Sequence, residues 1–454
     1  MNRDITRQLL WGNSTSSMQT EGANLADGKG ASVYDMPGAN PIWATAIDDY
    51  HRYPEDIALM DELGMNCYRF QISWSRVQPD GEGAFNEAGI QFYADLIDQL
   101  LAKGIEPMIC LYHFDLPLAL AEKYDGFGHP AVTDAFVRYA HEMLTRFSDK
   151  VTYWLTFNEQ NLYGMPGAAK IAGVLHAEED DALDMRIQHQ VALAHARVSQ
   201  DIHAHFPGVK LGAMIAYQQP YAASPLPDDA EVARVAKAFW DTNVVSLMTG
   251  GGYVPEVAAW LRHHGLTDLL NPTDLATLAA AKSDFMSFSY YSSIVLSANH
   301  IPLGTAPSAY AVGVVPNPTL RANEWQWQVD PLGFKAAMLE LFNQTELPLF
   351  PIENGIGVDE VQPVDGVIQD TYRIDYHRTH LQMLKDVVEQ NDVPVIGYLG
   401  WGLIDIPSSQ GNMKKRYGVV YVDRTNTDVG TLKRTKKASF DWLARAIKSN
   451  GREL

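Results

Sequence analysis

Cysteine is scarce in this chain, and its scarcity excludes one class of protein. Only two cysteines occur among 454 residues, so the sequence is not that of a disulfide-stapled extracellular scaffold. Cys67 and Cys110 both lie inside short apolar runs. We therefore expect two buried, reduced thiols that pack as small hydrophobic side chains.

Long apolar runs and an excess of basic residues are also missing. No stretch approaches the roughly 20 apolar residues that a membrane-spanning helix needs, and Met1–Leu10 carries charges without the apolar segment of a signal peptide. The formal net charge of −20 at pH 7 disfavours nucleic acids and anionic membranes as partners. These features predict a cytoplasmic protein in which an anionic substrate would need a local basic pocket.

No Pro/Ser-rich linker, charge block or short repeat divides the chain. We therefore predict a single domain over residues 1–454. The Pro/Gly-rich stretch Ile301–Pro318 is predicted to be a long surface loop near the mouth of the site rather than a domain boundary.

Short apolar runs alternate with longer amphipathic segments. The first run ends near Trp11, and seven more follow at Met65–Ile72, Ile105–Tyr112, Val151–Phe157, Val209–Ala216, Phe285–Tyr291, Pro348–Ile352 and Val395–Trp401. The segments with helical periodicity include Pro54–Leu63, Ile90–Lys103, Asp134–Phe147, Met185–His205, Leu332–Phe342 and Arg373–Glu389. This alternation indicates βαβ units and a parallel sheet. Eight units predict a single (β/α)₈ TIM barrel of the α/β class.

Two glutamates come directly after predicted strands. Glu159 follows the fourth strand in the string TFNEQN, and Glu353 follows the seventh in PIENG. The C-terminal ends of barrel strands surround the mouth where such folds keep their chemistry, so these carboxylates should face each other. Retaining glycoside hydrolysis needs a carboxyl pair roughly 5–5.5 Å apart. Taken singly, each Glu is explained as well by a structural role, as a helix cap or as the partner of a barrel arginine, as by a catalytic one.

At these motifs the sequence resembles glycoside hydrolase family 1 over nearly the whole chain. The matching strings are LWGNSTSSMQTEG, DYHRYPEDIALMDELG, YRFQISWSRVQPDG, GIEPMICLYHFDLPLAL, TFNEQN, PIENGIG, WGLIDI and YGVVYVD. The resemblance implies a β-glycoside substrate, retention of configuration, no cofactor and no required metal. It also implies that Glu159 is the acid/base and Glu353 the nucleophile.

The same resemblance assigns further residues to the substrate and to the nucleophile. Its substrate contacts are Gln19, His113, Asn158, Tyr291, Trp327 and Trp401, and its supports of the nucleophile are Arg69 and Tyr291. An arginine and a phenol beside a carboxylate favour the ionised form. Outside this motif context, His113 would be explained as a core histidine and Trp401 as barrel packing.

The segment after the eighth predicted strand separates subgroups of this family. Ordinary β-glucosidases carry Glu-Trp at the positions of Ser408 and Ser409, whereas 6-phospho-β-glycosidases resemble this chain in having Ser followed by Lys-x-Tyr. The resemblance implies that Ser408 or Ser409, together with Lys415 and Tyr417, binds a sugar 6-phosphate. A Glu at position 408 would face the phosphate at a cost of roughly 4 kcal/mol for each like-charge pair at about 4 Å. The alternative is that the basic run at 414–416 is a solvated hairpin.

The predicted function is a retaining 6-phospho-β-glucosidase that releases glucose 6-phosphate and an aglycone by double displacement. An ordinary β-glucosidase and a 6-phospho-β-galactosidase stay open, although relatives that prefer galactosides usually keep Trp at the position of Ser409. A non-catalytic barrel that binds a sugar phosphate is disfavoured because both carboxylates are present. Gln160 stands where the subgroup usually has an apolar residue, which leaves the shape beside the acid/base open. Neither the aglycone nor the oligomeric state can be inferred from the sequence, and a homodimer stays an option.

Overall fold

Eight parallel strands form the centre of the computed structural model, which describes residues 8–299, 301, 313–361 and 366–454. In chain order they are β1 (Leu10–Ser14), β2 (Cys67–Gln71), β3 (Glu106–Tyr112), β4 (Tyr153–Phe157), β5 (Lys210–Ala216), β6 (Phe285–Tyr290), β7 (Leu349–Asn354) and β8 (Gly397–Trp401). Their order in the sheet is β7-β6-β5-β4-β3-β2-β1-β8. Leu349 joins the two ends of this order, because its amide donates to the carbonyl of Pro394 and its carbonyl accepts from the amide of Ile396, both at 2.8 Å. The sheet is thereby wrapped into a nearly closed barrel, which confirms the predicted TIM fold.

Helices surround the barrel and connect its strands. The long ones are Asp49–Leu63, Glu87–Ala102, Pro130–Phe147, Asp181–His205, Pro227–Lys237, Pro331–Thr345, Thr371–Asn391 and Ala438–Lys448. Shorter helical segments are Ser17–Thr20, Val33–Asp35, Pro41–Ala44, Trp74–Val77, Leu118–Tyr124, Gly126–Gly128, Gln160–Gly164, Ala168–Ile171, Ala238–Thr242, Asn243–Met248, Pro255–His263, Thr267–Leu270 and Pro272–Ala279. The predicted amphipathic segments correspond to six of the long helices, and all six begin earlier than predicted. In three of them, which begin at Pro130, Asp181 and Pro331, a side-chain cap or an N-terminal proline precedes the apolar stripe.

Short strands outside the barrel shape its mouth. Pro220–Ala222, Ile294–Leu296 and Val314–Val315 form one small sheet, and Val420–Val422 pairs with Arg434–Lys436. A third sheet consists of Val358–Asp359 and Lys415–Arg416, which pair antiparallel. This last pairing ties the loop after β7 to the loop after β8.

An apolar cluster fills the barrel interior, and many of the buried polar groups gather at its mouth. The interior cluster consists of Cys67, Met108, Cys110, Leu155, Met214, Phe285, Phe350, Ile352 and Leu399. Both cysteines are free and buried, as expected. A second, larger apolar layer lies between the barrel and the helices.

Two strand boundaries differ from the prediction in ways that affect the site. β1 continues past Trp11 to Ser14, where it pairs with Trp401. β7 continues to Asn354, so that Glu353 lies within the strand rather than after it. Both strands keep pairing with their neighbours where the apolar pattern has already ended, because backbone ladder bonds do not depend on side-chain hydropathy.

Some expectations fall on parts of the chain that are not described. Residues 302–312, most of the predicted loop Ile301–Pro318, lie outside the described residues, as do residues 1–7. The single domain over 1–454 stays a prediction. None of the helices in the described ranges combines the length and apolar character that crossing a bilayer requires.

Candidate active site

Both predicted carboxylates lie at the mouth of the barrel. Glu159 stands two residues beyond the end of β4, and Glu353 is the fifth of the six residues of β7. The pairing of β7 with β6 shifts register between Pro351 and Glu353, and such a bulge re-aims the side chain that follows it. The two carboxylates line the same cavity, which has a volume of about 380 Å³.

Two donors hold the carboxyl of Glu353. Arg69 donates from Nη1 to Oε1, and the hydroxyl of Tyr291 donates to Oε2 at 2.9 Å. Arg69 is fully buried beneath the site and also donates from Nη2 to Oδ1 of Asn158 at 2.7 Å. Burial raises the pKa of Glu353, and the charge of Arg69 and the two hydrogen bonds counteract that rise. These donors favour the ionised carboxylate, which is the form a nucleophile needs.

Glu159 lies in a contrasting environment. No cation contacts its carboxyl within the described ranges, and burial together with the charge of Glu353 raises its pKa to about 8. Its carboxyl is therefore mostly protonated at neutral pH. Two carboxyls whose surroundings separate their protonation states suit the roles of acid and nucleophile.

The predicted sugar ligands bring unpaired polar atoms to the cavity. Nδ1 of His113 and Nδ2 of Asn158 are buried and have no hydrogen-bond partner among the described residues, so both can pair with a bound hydroxyl group. Burial and the charge of Arg69 lower the pKa of His113 well below its ordinary value, which keeps the ring neutral. Gln19 donates from Nε2 to the carbonyl of Pro407 at 2.7 Å. The ring of Trp401 lies 5.7 Å from that of His113 and also lines the cavity.

Lys415 lies behind an aromatic wall of the cavity. Its Nζ is 3.2 Å from the centre of the Trp327 ring, 5.4 Å from that of Trp325 and 5.7 Å from that of Tyr417. Lys415 as a whole is only 7 % exposed, and no carboxylate pairs with it within the described part of the chain. Burial lowers the pKa of Lys415 to about 8. The ammonium group is therefore still mostly charged at neutral pH, although no described residue supplies a counter-ion.

The basic run at 414–416 is not a uniformly solvated hairpin. The Lys414 side chain is 66 % exposed and lies 3.7 Å from Asp359. Arg416 is 3 % exposed and pairs with the buried Asp405 at 3.1 Å. Between them, Lys415 turns toward Trp327, because successive side chains of a strand point to opposite faces.

The two candidate serines both line the cavity but differ in burial. Ser408 is buried, and its Oγ accepts from the amide of Asn412 at 3.2 Å, which leaves the hydroxyl proton available to a ligand. Ser409 is exposed. Which serine contacts the substrate stays a prediction.

All predicted site residues except Arg69 and Lys415 line the cavity directly. Gln160 does not line it, because this side chain is buried and its Oε1 accepts from the amide of Met214 at 3.4 Å. Sequence reasoning missed Trp325 and Ser289, whose hydroxyl donates to Oε1 of Glu159. The available signal for Ser289 was its place two residues before Tyr291 in the predicted strand Phe285–Tyr291, because alternate positions of a strand share a face. Trp325 lies in a turn in which Gln326 has a φ of 61°, and no local sequence pattern pointed to it.

Comparison with known proteins gives one consistent family. The model of Glycosyl hydrolase family 1 matches residues 1–452. The aryl-phospho-β-D-glucosidase BglC of Bacillus subtilis is 36% identical over 474 residues, with coverage of 99% of this chain and 98% of the relative. The phospho-cellobiase of Klebsiella oxytoca is 37% identical over 468 residues and covers 100% and 99%. A family 1 β-glucosidase structure from Thermotoga maritima superimposes with a TM-score of 0.87 at 31% identity and covers 98% of both chains. The chain belongs to glycosyl hydrolase family 1.

Proposed function

We propose that this protein is a retaining 6-phospho-β-glucosidase. The observation that carries the substrate assignment is Lys415, a buried ammonium group without a carboxylate partner in the described ranges. An unpaired buried charge costs folding free energy, and a bound phosphate would supply the missing anion. In a protein of net charge −20, this lysine provides the local positive potential that an anionic sugar needs.

The names of the relatives support the same substrate. The Bacillus subtilis and Klebsiella oxytoca proteins are named for phosphorylated β-glucosides, whereas the Thermotoga maritima protein is named a β-glucosidase. A Glu at position 408, typical of ordinary β-glucosidases, is replaced here by Ser408 in the cavity wall.

In the first step, the phosphate is held by Lys415, Tyr417 and Ser408 or Ser409, which fixes the sugar over Glu353. The Glu353 carboxylate attacks the anomeric carbon while Glu159 transfers its proton to the glycosidic oxygen, and the aglycone leaves. In the second step, the ionised Glu159 takes a proton from water. That water displaces Glu353 and releases glucose 6-phosphate with retained configuration.

Three other functions are less well supported. The substrate of an ordinary β-glucosidase carries no anionic group that could pair with the buried ammonium group of Lys415. A 6-phospho-β-galactosidase is disfavoured by Ser409, which stands where those enzymes usually have Trp. A binding protein without activity would not need one protonated and one ionised carboxyl in the same cavity. A phosphorylated substrate also implies sugars phosphorylated during import, so we place the protein in the cytoplasm.

The test is the ratio of kcat/KM for p-nitrophenyl β-glucoside 6-phosphate to that for the unphosphorylated glucoside. We expect a strong preference for the phosphorylated substrate. Equal or better turnover of the plain glucoside would overturn the phosphate assignment and leave the catalytic carboxylates in place. The corresponding galactoside 6-phosphate, measured beside them, separates gluco from galacto selectivity.

A further inference from the structure

The carboxyl of Glu159 has a single hydrogen-bond partner in the part of the chain that the structure describes. That partner is Ser289, whose Oγ donates to Oε1, and Glu159 also lines the cavity. Oε2 has no hydrogen-bond partner among the described residues. Ser289 is 1 % exposed and pairs in register with Glu353 on the neighbouring strand. Ser289 therefore contacts the carboxyl of Glu159 and lies opposite Glu353 in the strand pairing.

The backbone on both sides of this contact is held in place. The carbonyl of Ser289 accepts from the amide of Tyr217 at 2.9 Å. Glu159 has a φ of 45° and a ψ of 61°, a left-handed conformation that costs a non-glycine residue roughly 1–2 kcal/mol. Its amide donates to Sδ of Met214 at 2.8 Å. The backbone of Glu159 is thus restrained, and the direction of its carboxyl depends on the Ser289 contact.

A hydroxyl is a suitable partner for a group that must change protonation state. It donates to a carboxylate and accepts from a carboxylic acid, whereas an arginine can only donate. Glu353, which acts only as an anion, has a donor-only arginine beside it. Glu159 acts as an acid in one step and as a base in the next, and its partner can serve both forms.

We propose that Ser289 is the positioning residue of the acid/base. It holds Oε1 so that Oε2 carries the transferable proton toward the glycosidic oxygen. As that proton leaves, negative charge spreads onto Oε1, where the Ser289 hydroxyl donates. This inference rests on the proposed role of Glu159 as acid/base.

The first experiment is Ser289→Ala in the full-length protein, assayed on aryl β-glucoside 6-phosphates with leaving groups of increasing pKa. We expect kcat/KM to fall roughly 10- to 100-fold for the phenyl glycoside, the range for a lost hydrogen bond to a charged group. The dinitrophenyl glycoside, which needs little proton donation, should lose much less. The basic limb of the pH profile should move to higher pH, because the donor that favours ionised Glu159 has been removed.

Ser287→Ala is the matched control. Ser287 lies two residues earlier on the same strand and is equally buried, but its hydroxyl donates to the carbonyl of Ala213 at 2.7 Å. We expect its leaving-group dependence and pH profile to match the wild type. Ser289→Thr keeps the hydroxyl and should restore the basic limb. If Ser289→Ala does not fold, Ser289→Cys carries the same test, with a smaller shift in the same direction.

The proposal is overturned if Ser289→Ala keeps the wild-type pH profile and leaving-group dependence, or if Ser287→Ala changes both equally. Failure of the proposed function looks different. A Glu159→Gln variant that still cleaves the phenyl glycoside at the wild-type rate would remove the acid/base assignment itself, whatever Ser289→Ala does.

Discussion

Replacing Lys415 by methionine is the most direct test of the substrate assignment. The change keeps an unbranched apolar side chain against Trp327 and removes only the charge. Removing one partner of a buried charged pair costs about 2–5 kcal/mol, which at 1.4 kcal/mol per tenfold is roughly a 30- to 4,000-fold loss. With a pKa of about 8, the lysine carries its charge in most molecules at pH 7, so little of this loss is discounted. We expect it to appear in kcat/KM for the 6-phosphorylated substrate and not for the plain glucoside.

The neighbouring Lys414 provides the control. Lys414→Met makes the same change of charge and side-chain type one position away, on a side chain that is 66 % exposed. We expect its ratio of phosphorylated to plain kcat/KM to stay at the wild-type value. Equal effects of the two variants, or no effect of either, would refute the reasoning, because the phosphate would then respond only to overall charge or not at all.

Thermal unfolding separates lost binding from lost structure. Lys415→Met removes a buried charge that has no carboxylate partner in the described ranges, so the Tm of the free protein should hold or rise. Glucose 6-phosphate should raise the Tm of the wild type by binding the folded state and should have much less effect on the variant. A variant with a lowered Tm and lowered activity on both substrates would indicate misfolding instead.

Three further outcomes follow from the same site. The ratio of kcat/KM for the phosphorylated substrate to that for the plain glucoside should fall as the pH rises through about 8. Lys415 then loses its proton while the phosphate stays doubly ionised, and any change at Glu159 cancels in the ratio. A ratio that stays constant from pH 7 to 9.5 would contradict this. Gly357→Ala would place a Cβ 2.6 Å from Cγ of Lys415 and 3.1 Å from Cζ of Tyr417. The overpacking cost of about 1–3 kcal/mol should lower the same ratio by roughly 5- to 150-fold, while plain-glucoside turnover is retained. Glu353→Gln should lower kcat on both substrates by roughly 10⁴- to 10⁶-fold, the scale for single members of a catalytic group, with Tm measured to show that the variant is folded; near-normal rates would remove it as the nucleophile.

The barrel and the location of its chemistry were predictable from the chain itself. Eight apolar runs separated by amphipathic segments leave few architectures, because parallel strands need helical crossovers and a closed sheet has no unpaired edge. Glu159 and Glu353 could be placed at the mouth because the C-terminal end of a barrel strand is defined by local pattern. Family motifs along the whole chain added the likeness that the family model over residues 1–452 confirms.

The directions of the side chains in the basic run at 414–416 became clear only in the tertiary structure. Composition alone favoured a solvated hairpin, and only the resemblance around Ser408 pointed to a phosphate site. Its pairing with Val358–Asp359, a segment more than fifty residues earlier, sends Lys414 to solvent, Lys415 to Trp327 and Arg416 to Asp405. Strand register is set by non-local hydrogen bonds, and a shift of one residue would have exchanged these faces.

The raised pKa of Glu159 likewise could not be predicted from the sequence. The amino-acid sequence by itself determined that two glutamates would stand at the ends of β4 and β7 in a barrel. Family likeness already implied that Arg69 and Tyr291 support Glu353, and the structure shows both contacts. Only the tertiary structure showed that a serine on a third strand contacts Glu159. A pKa depends on burial and on charges within a few ångströms, and both are set by packing between segments that are remote along the chain.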